Sequence, residues 1–153
     1  MDSSLTKETQ LDALMPVIRE QLANGNSVRL FPKGTSMLPM LRQGIDSVIL
    51  SPISDKLKKH DLPLYQRANG QYVLHRIVKA GETYSCIGDN QFLYEHGIKH
   101  NQMIALVTGF YRGDKKISTD SFAYKLYCLF WYYSRPFRHF CNRGIGWIRR
   151  HIT

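Results

Sequence analysis

The sequence is short of several things, and each shortage closes off a class of protein. Its 153 residues include three cysteines, Cys86, Cys128 and Cys141. The number is odd and no C-x-x-C pair is present, so the spacing fits neither a disulfide framework nor a zinc ribbon. They read as reduced thiols. No uninterrupted apolar run reaches the roughly 18 residues of a membrane span. The nearest approach, Phe122 to Tyr133, is broken by Lys125. Met1 to Gln10 is polar and lacks the apolar stretch of a secretory signal. Acidic residues run out toward the C-terminus. Ser121 to Thr153 holds none, against six basic ones: Lys125, Arg135, Arg138, Arg143, Arg149 and Arg150.

What is present is an ordinary globular composition, 43% hydrophobic and 22% charged, enough for one domain with a real core. The net charge is +9. Most of it sits in the last fifth of the chain, which points to an anionic partner there. That same segment carries Trp131, Trp147 and several Tyr and Phe. Aromatic and basic residues together suit a lipid headgroup interface. A helical pair packed on the rest of the domain would use the same residues.

The pattern predicts three segments: a helix within 1–26, a β-rich domain over 27–118 and a basic aromatic helical tail over 119–153. Leu11, Leu14, Ile18 and Leu22 recur at helical spacing. Pro16 interrupts them, and Asn24-Gly25-Asn26 stops them. Strands are expected at Val28–Phe31, Asp46–Leu50, Leu62–Arg67, Gln71–Lys79, Thr83–Ile87 and Met103–Tyr111, with a short return at Lys116–Ile117. Asn69-Gly70 predicts a type I′ hairpin. Within Gln71–Lys79, Val73, His75 and Ile77 would share one face. Gly88 to Gly97 reads as loop. Ser118 or Thr119 would cap the tail helix. Short strands and hairpins in series mean a mainly β fold.

Three stretches carry the chemistry. Gly34-Thr35-Ser36-Met37-Leu38-Pro39 places a serine in a proline-bounded turn. A serine becomes a nucleophile only with a base to take its proton and N–H groups to hold the oxyanion. Leu74-His75-Arg76-Ile77-Val78 supplies a histidine, the right base at neutral pH. Gly88-Asp89-Asn90 supplies a carboxylate, and Glu95 a second one, either of which can orient the imidazole. Taken singly, each stretch reads as a turn, a core histidine and a loop.

Together and in this order they resemble the signal peptidase I family and its LexA-type relatives. The first stretch is similar to that family's Ser-Met-x-Pro nucleophile box. The second is similar to the base strand of the branch in which His replaces Lys, and the third to its Gly-Asp box. The resemblance covers Val28 to Tyr111. It implies a coiled β fold, Ser36 as nucleophile, His75 as general base, and Asp89 or Glu95 as supporting acid. Gly34, Thr35, Met37 and Pro39 would contact substrate. It also implies cleavage after small residues of an extended peptide laid along a sheet edge, as in processing of a leader or signal segment. No metal or cofactor is called for, because side chains supply both nucleophile and base.

The sequence departs from the family in four places. Gly34 stands where a serine often assists the oxyanion. His60-Asp61 stands where Gly-Asp is usual. Glu95 falls near the position of an Asp. The N-terminal membrane anchor is missing, which leads to the expectation of a cytoplasmic peptidase, peripheral on the inner membrane through its tail. Two alternatives belong to other classes. One is a LexA-like self-cleaving regulator, although Leu5 to Asn24 is too short for a helix-turn-helix domain and nucleic acid is therefore not an expected partner. The other is a non-catalytic binding module on the same fold.

Overall fold

A computed structural model of the chain describes residues 3–141, with side chains from Leu11 onward. Residues divide into two compact units, 1–119 and 120–153. The N-terminal helix belongs to the first unit. The expected tail residues Arg143, Trp147, Arg149 and Arg150 lie outside the described residues.

The first unit is mainly β and antiparallel. Helix α1 spans Ser3–Ala23. It ends where Gly25 takes φ 80°. There the Gly25 N–H donates to the Leu22 carbonyl and the Asn26 N–H to the Gln21 carbonyl, a closing pattern that needs a left-handed residue and so favours glycine. The buried face of α1 is Met15, Ile18 and Leu22, while Leu14 is exposed. The expected stripe is thus rotated, with Met15 rather than Leu14 turned inward.

Nine strands follow: β1 (Val28–Leu30), β2 (Ser47–Ser51), β3 (Pro63–Gln66), β4 (Tyr72–Leu74), β5 (Arg76–Lys79), β6 (Tyr84–Ile87), β7 (Glu95–Ile98), β8 (Met103–Arg112) and β9 (Lys115–Ser118). One sheet runs β1-β2-β8-β3-β4, with β9 also on β8; the other runs β5-β6-β7. The long β8 is the spine. It meets β2 along one edge, and β3 and then β9 along the other. Its register slips at Ile49/Leu50 of β2 and at Leu64/Tyr65 of β3. Bulges of this kind bend a strand and add twist, which coils the sheet.

Three local expectations are corrected. The β3–β4 turn is not type I′. Gly70 alone has positive φ, at 92°, and its N–H donates to the Arg67 carbonyl while Arg67 N–H donates to the Gln71 carbonyl. This is the three-residue hairpin in which an αL glycine follows a type I turn. The expected strand Gln71–Lys79 is two strands. It breaks at His75, and its halves belong to different sheets. The stretch read as loop also contains β7, which pairs with β6.

The core fills the space between the sheets. Tyr65 and Val73 from the first join Ile77, Tyr84, Cys86 and Ile98 from the second, with Leu57. Each such side chain contributes about 1.5–3 kcal/mol on burial. Cys86 lies wholly inside, and burial pushes its thiol up to about 12, so it is an inert core residue.

The second unit opens with α2 (Phe122–Tyr133). Its N-cap is Ser121, whose hydroxyl accepts from the Tyr124 N–H at 3.3 Å, not Ser118 or Thr119. Residues 135–141 are again helical after a turn at Ser134, with Pro136 in the first turn, where its missing N–H costs nothing. No helix among the described residues is long and apolar enough to cross a membrane.

Candidate active site

Ser36 sits in irregular chain between β1 and β2. Gly34 takes φ 93°, and its N–H donates to Gln43 Oε1 at 2.8 Å. The next turns close through Leu38 N–H to the Thr35 carbonyl and Leu41 N–H to the Met37 carbonyl. The Leu38–Pro39 bond is cis. Met37, Met40 and Leu41 are buried beneath the loop, so the segment is pinned from below while Ser36 stays half-buried.

The Gly88-Asp89-Asn90 stretch braces this loop. The Asn90 N–H donates to the Ser36 carbonyl at 2.8 Å, and Asn90 Nδ2 donates to the Thr35 carbonyl at 3.3 Å. A Cβ on Gly88 would meet that same Ser36 carbonyl at 2.7 Å, closer than any side chain tolerates. Glycine is therefore required by contact rather than by φ. Asp89 turns the other way. Its Oδ1 and Oδ2 each accept a 2.8 Å bond from Arg76, and both residues are buried.

His75 occupies the crossing between the two sheets and is 2% exposed. Its Nδ1 lies 3.0 Å from Glu95 Oε1 and 3.4 Å from the Tyr65 hydroxyl. That hydroxyl donates to Glu95 Oε2 at 3.0 Å. Arg67 then grips the same carboxylate, through Nε to Oε2 at 2.9 Å and through Nη2 to Oε1. Tyr65 and Arg67 are two apart on the β3 arm of the hairpin, so they face the same side. Pairing Tyr65 with Val73 brings that side to His75.

Of the two candidate acids, then, Glu95 meets the imidazole. Asp89 does not hydrogen-bond to His75; it holds the neighbouring Arg76 and, through the Gly88 and Asn90 backbone, the Ser36 loop. The sequence left the supporting acid open between the two; the contact to the ring is made by Glu95, and Asp89 acts on His75 only through its charge.

The electrostatics follow from the packing. Burial lowers the His75 pKa below its ordinary 6.5, partly offset by the nearby Glu95 charge, with Arg67 pushing it further down. Burial pushes Glu95 up, but hydrogen bonds from Arg67 and Tyr65 and the charges of His75 and Arg67 outweigh it, so the carboxyl stays below its usual range. At neutral pH the pair is a neutral imidazole beside a carboxylate. With Nδ1 facing Glu95 the proton belongs on Nδ1, and Nε2 is left as the basic nitrogen.

Ser36 and His75 line one cavity of about 230 Å³, together with Gly34, Met37, Leu41 and Gln91. Among the described residues no hydrogen bond joins Ser36 Oγ to His75, whose partners are Glu95 and Tyr65. Of the four residues expected to touch substrate, Gly34 and Met37 line this cavity. Thr35 and Pro39 are exposed outside its lining.

The His60-Asp61 pair also has a structural reading. Among the described residues, His60 is the non-glycine residue with positive φ, 78°, the left-handed region that favours glycine. Asp61 Oδ2 closes that turn by accepting from the Lys58 N–H at 2.8 Å. A Gly-Asp pair would adopt the same turn without strain.

Sequence reasoning missed Tyr65 and Arg67. The hairpin alternation that puts them on the His75 side was there to be used. No family model, curated protein or solved structure matches the chain.

Proposed function

We propose that the protein is a serine endopeptidase of the signal-peptidase type, with Ser36 as nucleophile, His75 as general base and Glu95 as the group that orients and charges it. One observation carries the reading. Ser36 shares a cavity with a buried histidine whose Nδ1 faces a carboxylate at 3.0 Å. A core histidine kept only for packing has no need of a carboxylate that itself requires an arginine and a tyrosine.

The chemistry is then acyl transfer. Ser36 Oγ bonds to the scissile carbonyl carbon as its proton passes to His75 Nε2, and the imidazolium is stabilised by Glu95. The C–N bond breaks and Nε2 gives the proton to the leaving amine. Water, deprotonated by Nε2, releases the acyl group and restores the serine. The Gly34 N–H is occupied by Gln43, so oxyanion donors come from backbone N–H groups closer to Ser36. The mechanism requires Ser36 and His75 to close to hydrogen-bond distance around a bound peptide, as catalytic contacts commonly do only in the complex. The irregular loop and the cavity beside it leave room for that closure. The coiled sheet with two open edges, β1 and β4, supports the signal-peptidase and LexA-like fold and docking of an extended peptide by strand addition.

The substrate class is a leader or signal segment with small residues at the cut. The C-terminal unit supports contact with an anionic membrane surface. Phe122, Leu126, Phe130, Tyr133, Phe137 and Phe140 are exposed at helical spacing. Arg138 stacks on Trp131 at 3.6 Å beside them, a pairing suited to headgroup depth. On this reading the protein works at the cytoplasmic membrane face. The test of catalysis is mass spectrometry of peptides from extracts treated with the wild type and with Ser36→Ala. Fragments that are produced only by the wild type and vanish again in His75→Ala are expected, and identical digests from all three would end the proposal. Sedimentation with anionic and neutral vesicles tests the tail. Equal binding with and without residues 120–153 removes the membrane contact.

A further inference from the structure

Attack by Ser36 puts negative charge on a carbonyl oxygen, and that charge needs hydrogen-bond donors. Gly34 has no side chain to offer, and its N–H is engaged by Gln43 Oε1 at 2.8 Å. Backbone N–H groups closer to Ser36 remain, and the cavity wall adds side chains to them. Apart from Ser36 and His75, its polar side chains are Lys33, Arg67, Tyr72 and Gln91. Lys33 and Arg67 are cations, and Arg67 is already bound to Glu95 and Gln71. Tyr72 belongs to β4. Of the two uncharged donors, Gln91 is the one fastened to the serine loop.

The fastening is specific. The Gln91 N–H donates to the Gly88 carbonyl at 3.0 Å, which closes a tight turn over 88–91. Within that turn Asn90 binds the Ser36 carbonyl through its N–H and the Thr35 carbonyl through Nδ2. Turn and nucleophile are one hydrogen-bonded piece, so a closure of the Ser36 loop carries Gln91 with it. The missing Cβ of Gly88 then makes room for the carboxamide. A Cβ there would stand 2.9 Å from Gln91 Oε1 and 3.1 Å from its Cδ, as well as 2.7 Å from the Ser36 carbonyl oxygen. The Gln91 carboxamide and the Ser36 backbone therefore share one gap. With Oε1 over Gly88, Nε2 is the other end of the planar group. Among the described residues the half-buried side chain makes no hydrogen bond, which leaves two N–H donors unused.

We propose that Gln91 is a further catalytic residue, whose Nε2 donates to the oxyanion formed when Ser36 adds to the scissile carbonyl; this rests on the peptidase reading. As Ser36 Oγ bonds to the carbonyl carbon, the π pair of the C=O bond moves onto oxygen and the serine proton passes to His75 Nε2. Gln91 Nε2 holds the charged oxygen until the pair returns and the C–N bond breaks. The trigonal carbonyl of the bound peptide carries less charge, so the contact strengthens on the way to the tetrahedral intermediate and acts on kcat more than on KM.

The probe is acetyl-Ala-Gln-Ala-aldehyde, which an activated serine converts to a hemiacetal whose oxygen takes the oxyanion position. The matching peptide alcohol has the same side chains and cannot form the adduct. Calorimetric titration of the full chain gives the ratio of the two affinities. Gln91→Leu is expected to cut the aldehyde's advantage roughly tenfold or more and to leave the affinity for the alcohol unchanged. Gln91→Glu has the same shape but only acceptors at neutral pH, and should lose at least as much. On peptides cut by the wild type, kcat should fall about 100-fold in both variants with KM nearly constant. An aldehyde advantage kept in either variant, or a loss shared equally by the alcohol, overturns the role of Gln91. Ser36→Ala separates that outcome from the peptidase reading, because this variant should lose the aldehyde's advantage entirely. An advantage that survives Ser36→Ala, or that the wild type lacks, ends the peptidase reading and the role of Gln91 with it.

Discussion

Two carboxylates six positions apart, Asp89 and Glu95, are each clasped by an arginine, yet they belong to different kinds of region. Asp89 is fully buried against Arg76, which is itself 2% exposed. Around it are the fixed parts of the fold: the Ser36 carbonyl, the His60 carbonyl that accepts from Arg76 Nη1 at 3.2 Å, and the start of β5. Glu95 is only half-buried, on a strand at the edge of the smaller sheet, and one of its oxygens lies against His75. The first pair ties segments together. The second adjusts a titratable ring. The difference teaches that an acidic residue in a motif-like setting is assigned by what its partner's neighbours do, and not by the motif.

The largest effect should come from Asp89. Asp89→Ala leaves the Arg76 guanidinium buried without its counter-charge, and breaking a buried pair in this way costs about 3–5 kcal/mol. The melting temperature should fall steeply, and any activity should disappear along with the fold. Thermal unfolding followed by circular dichroism measures it. A variant that melts like the wild type but is inactive would move Asp89 into the chemistry and erase the contrast.

Glu95→Gln should act on the chemistry more than on the fold. The side chain keeps its shape and its one remaining oxygen can still accept from Arg67 Nε and Tyr65, while the amide nitrogen faces the Arg67 Nη2 and His75 Nδ1 donors, so stability should fall, but by less than in Asp89→Ala. The imidazolium formed during catalysis loses its counter-charge, and such changes cost roughly 100-fold to 10,000-fold in kcat. The expected signature is a fall in kcat with KM nearly constant, on peptides cut by the wild type. An equal loss of stability in Glu95→Gln and Asp89→Ala would show that both carboxylates are structural.

A smaller, pH-dependent effect isolates Arg67. His75 must be neutral to act as a base, and its pKa lies below 6.5 because of burial, with Arg67 helping to hold it down. The acid limb of kcat/KM should therefore lie below pH 6.5 in the wild type. In Arg67→Gln the His75 pKa rises, so the limb moves to higher pH and the ratio of activity at pH 6 to that at pH 8 falls. Stability carries the same sign. A histidine whose folded pKa is depressed takes up its proton more readily unfolded, so its contribution is present above 6.5 and is lost as pH drops through the folded value. An unmoved limb in Arg67→Gln would separate Arg67 from the ring.

How much of this was legible in the sequence depends on how local each feature is. The turns at Gly25 and Gly70, the serine loop, β8 and the mainly β character follow from residue types a few positions apart. The break at His75 was not legible. Alternation through Val73, His75 and Ile77 continues unbroken, and the change of sheet is set by what β4 and β5 pair with, far along the chain. β7 was missed for the same reason, since Glu95-His96-Gly97-Ile98 is a poor strand former held by β6. That the choice between Asp89 and Glu95 stayed open in the sequence followed from that miss. With β7 read as loop, nothing carried Glu95 to the imidazole, while Asp89 lay in a recognisable box.

The smallest effect sharpens the structural half of the comparison. His60 lies in the left-handed region, which costs a residue with a Cβ roughly 1–2 kcal/mol, and its backbone is held there by its N–H donating to the Ile77 carbonyl at 2.8 Å and its carbonyl facing Arg76. His60→Gly removes the steric cost and keeps both backbone bonds. Part of the gain is returned through the greater freedom of an unfolded glycine, about 0.5–1 kcal/mol. A net gain of about 0.5 kcal/mol is expected, a rise of roughly 1–3 °C in melting temperature. His60→Ala keeps the steric cost and should gain nothing. If glycine is no better than alanine at this position, the turn is not strained, and the buried Arg76 is anchored by Asp89 without help from the backbone of residue 60.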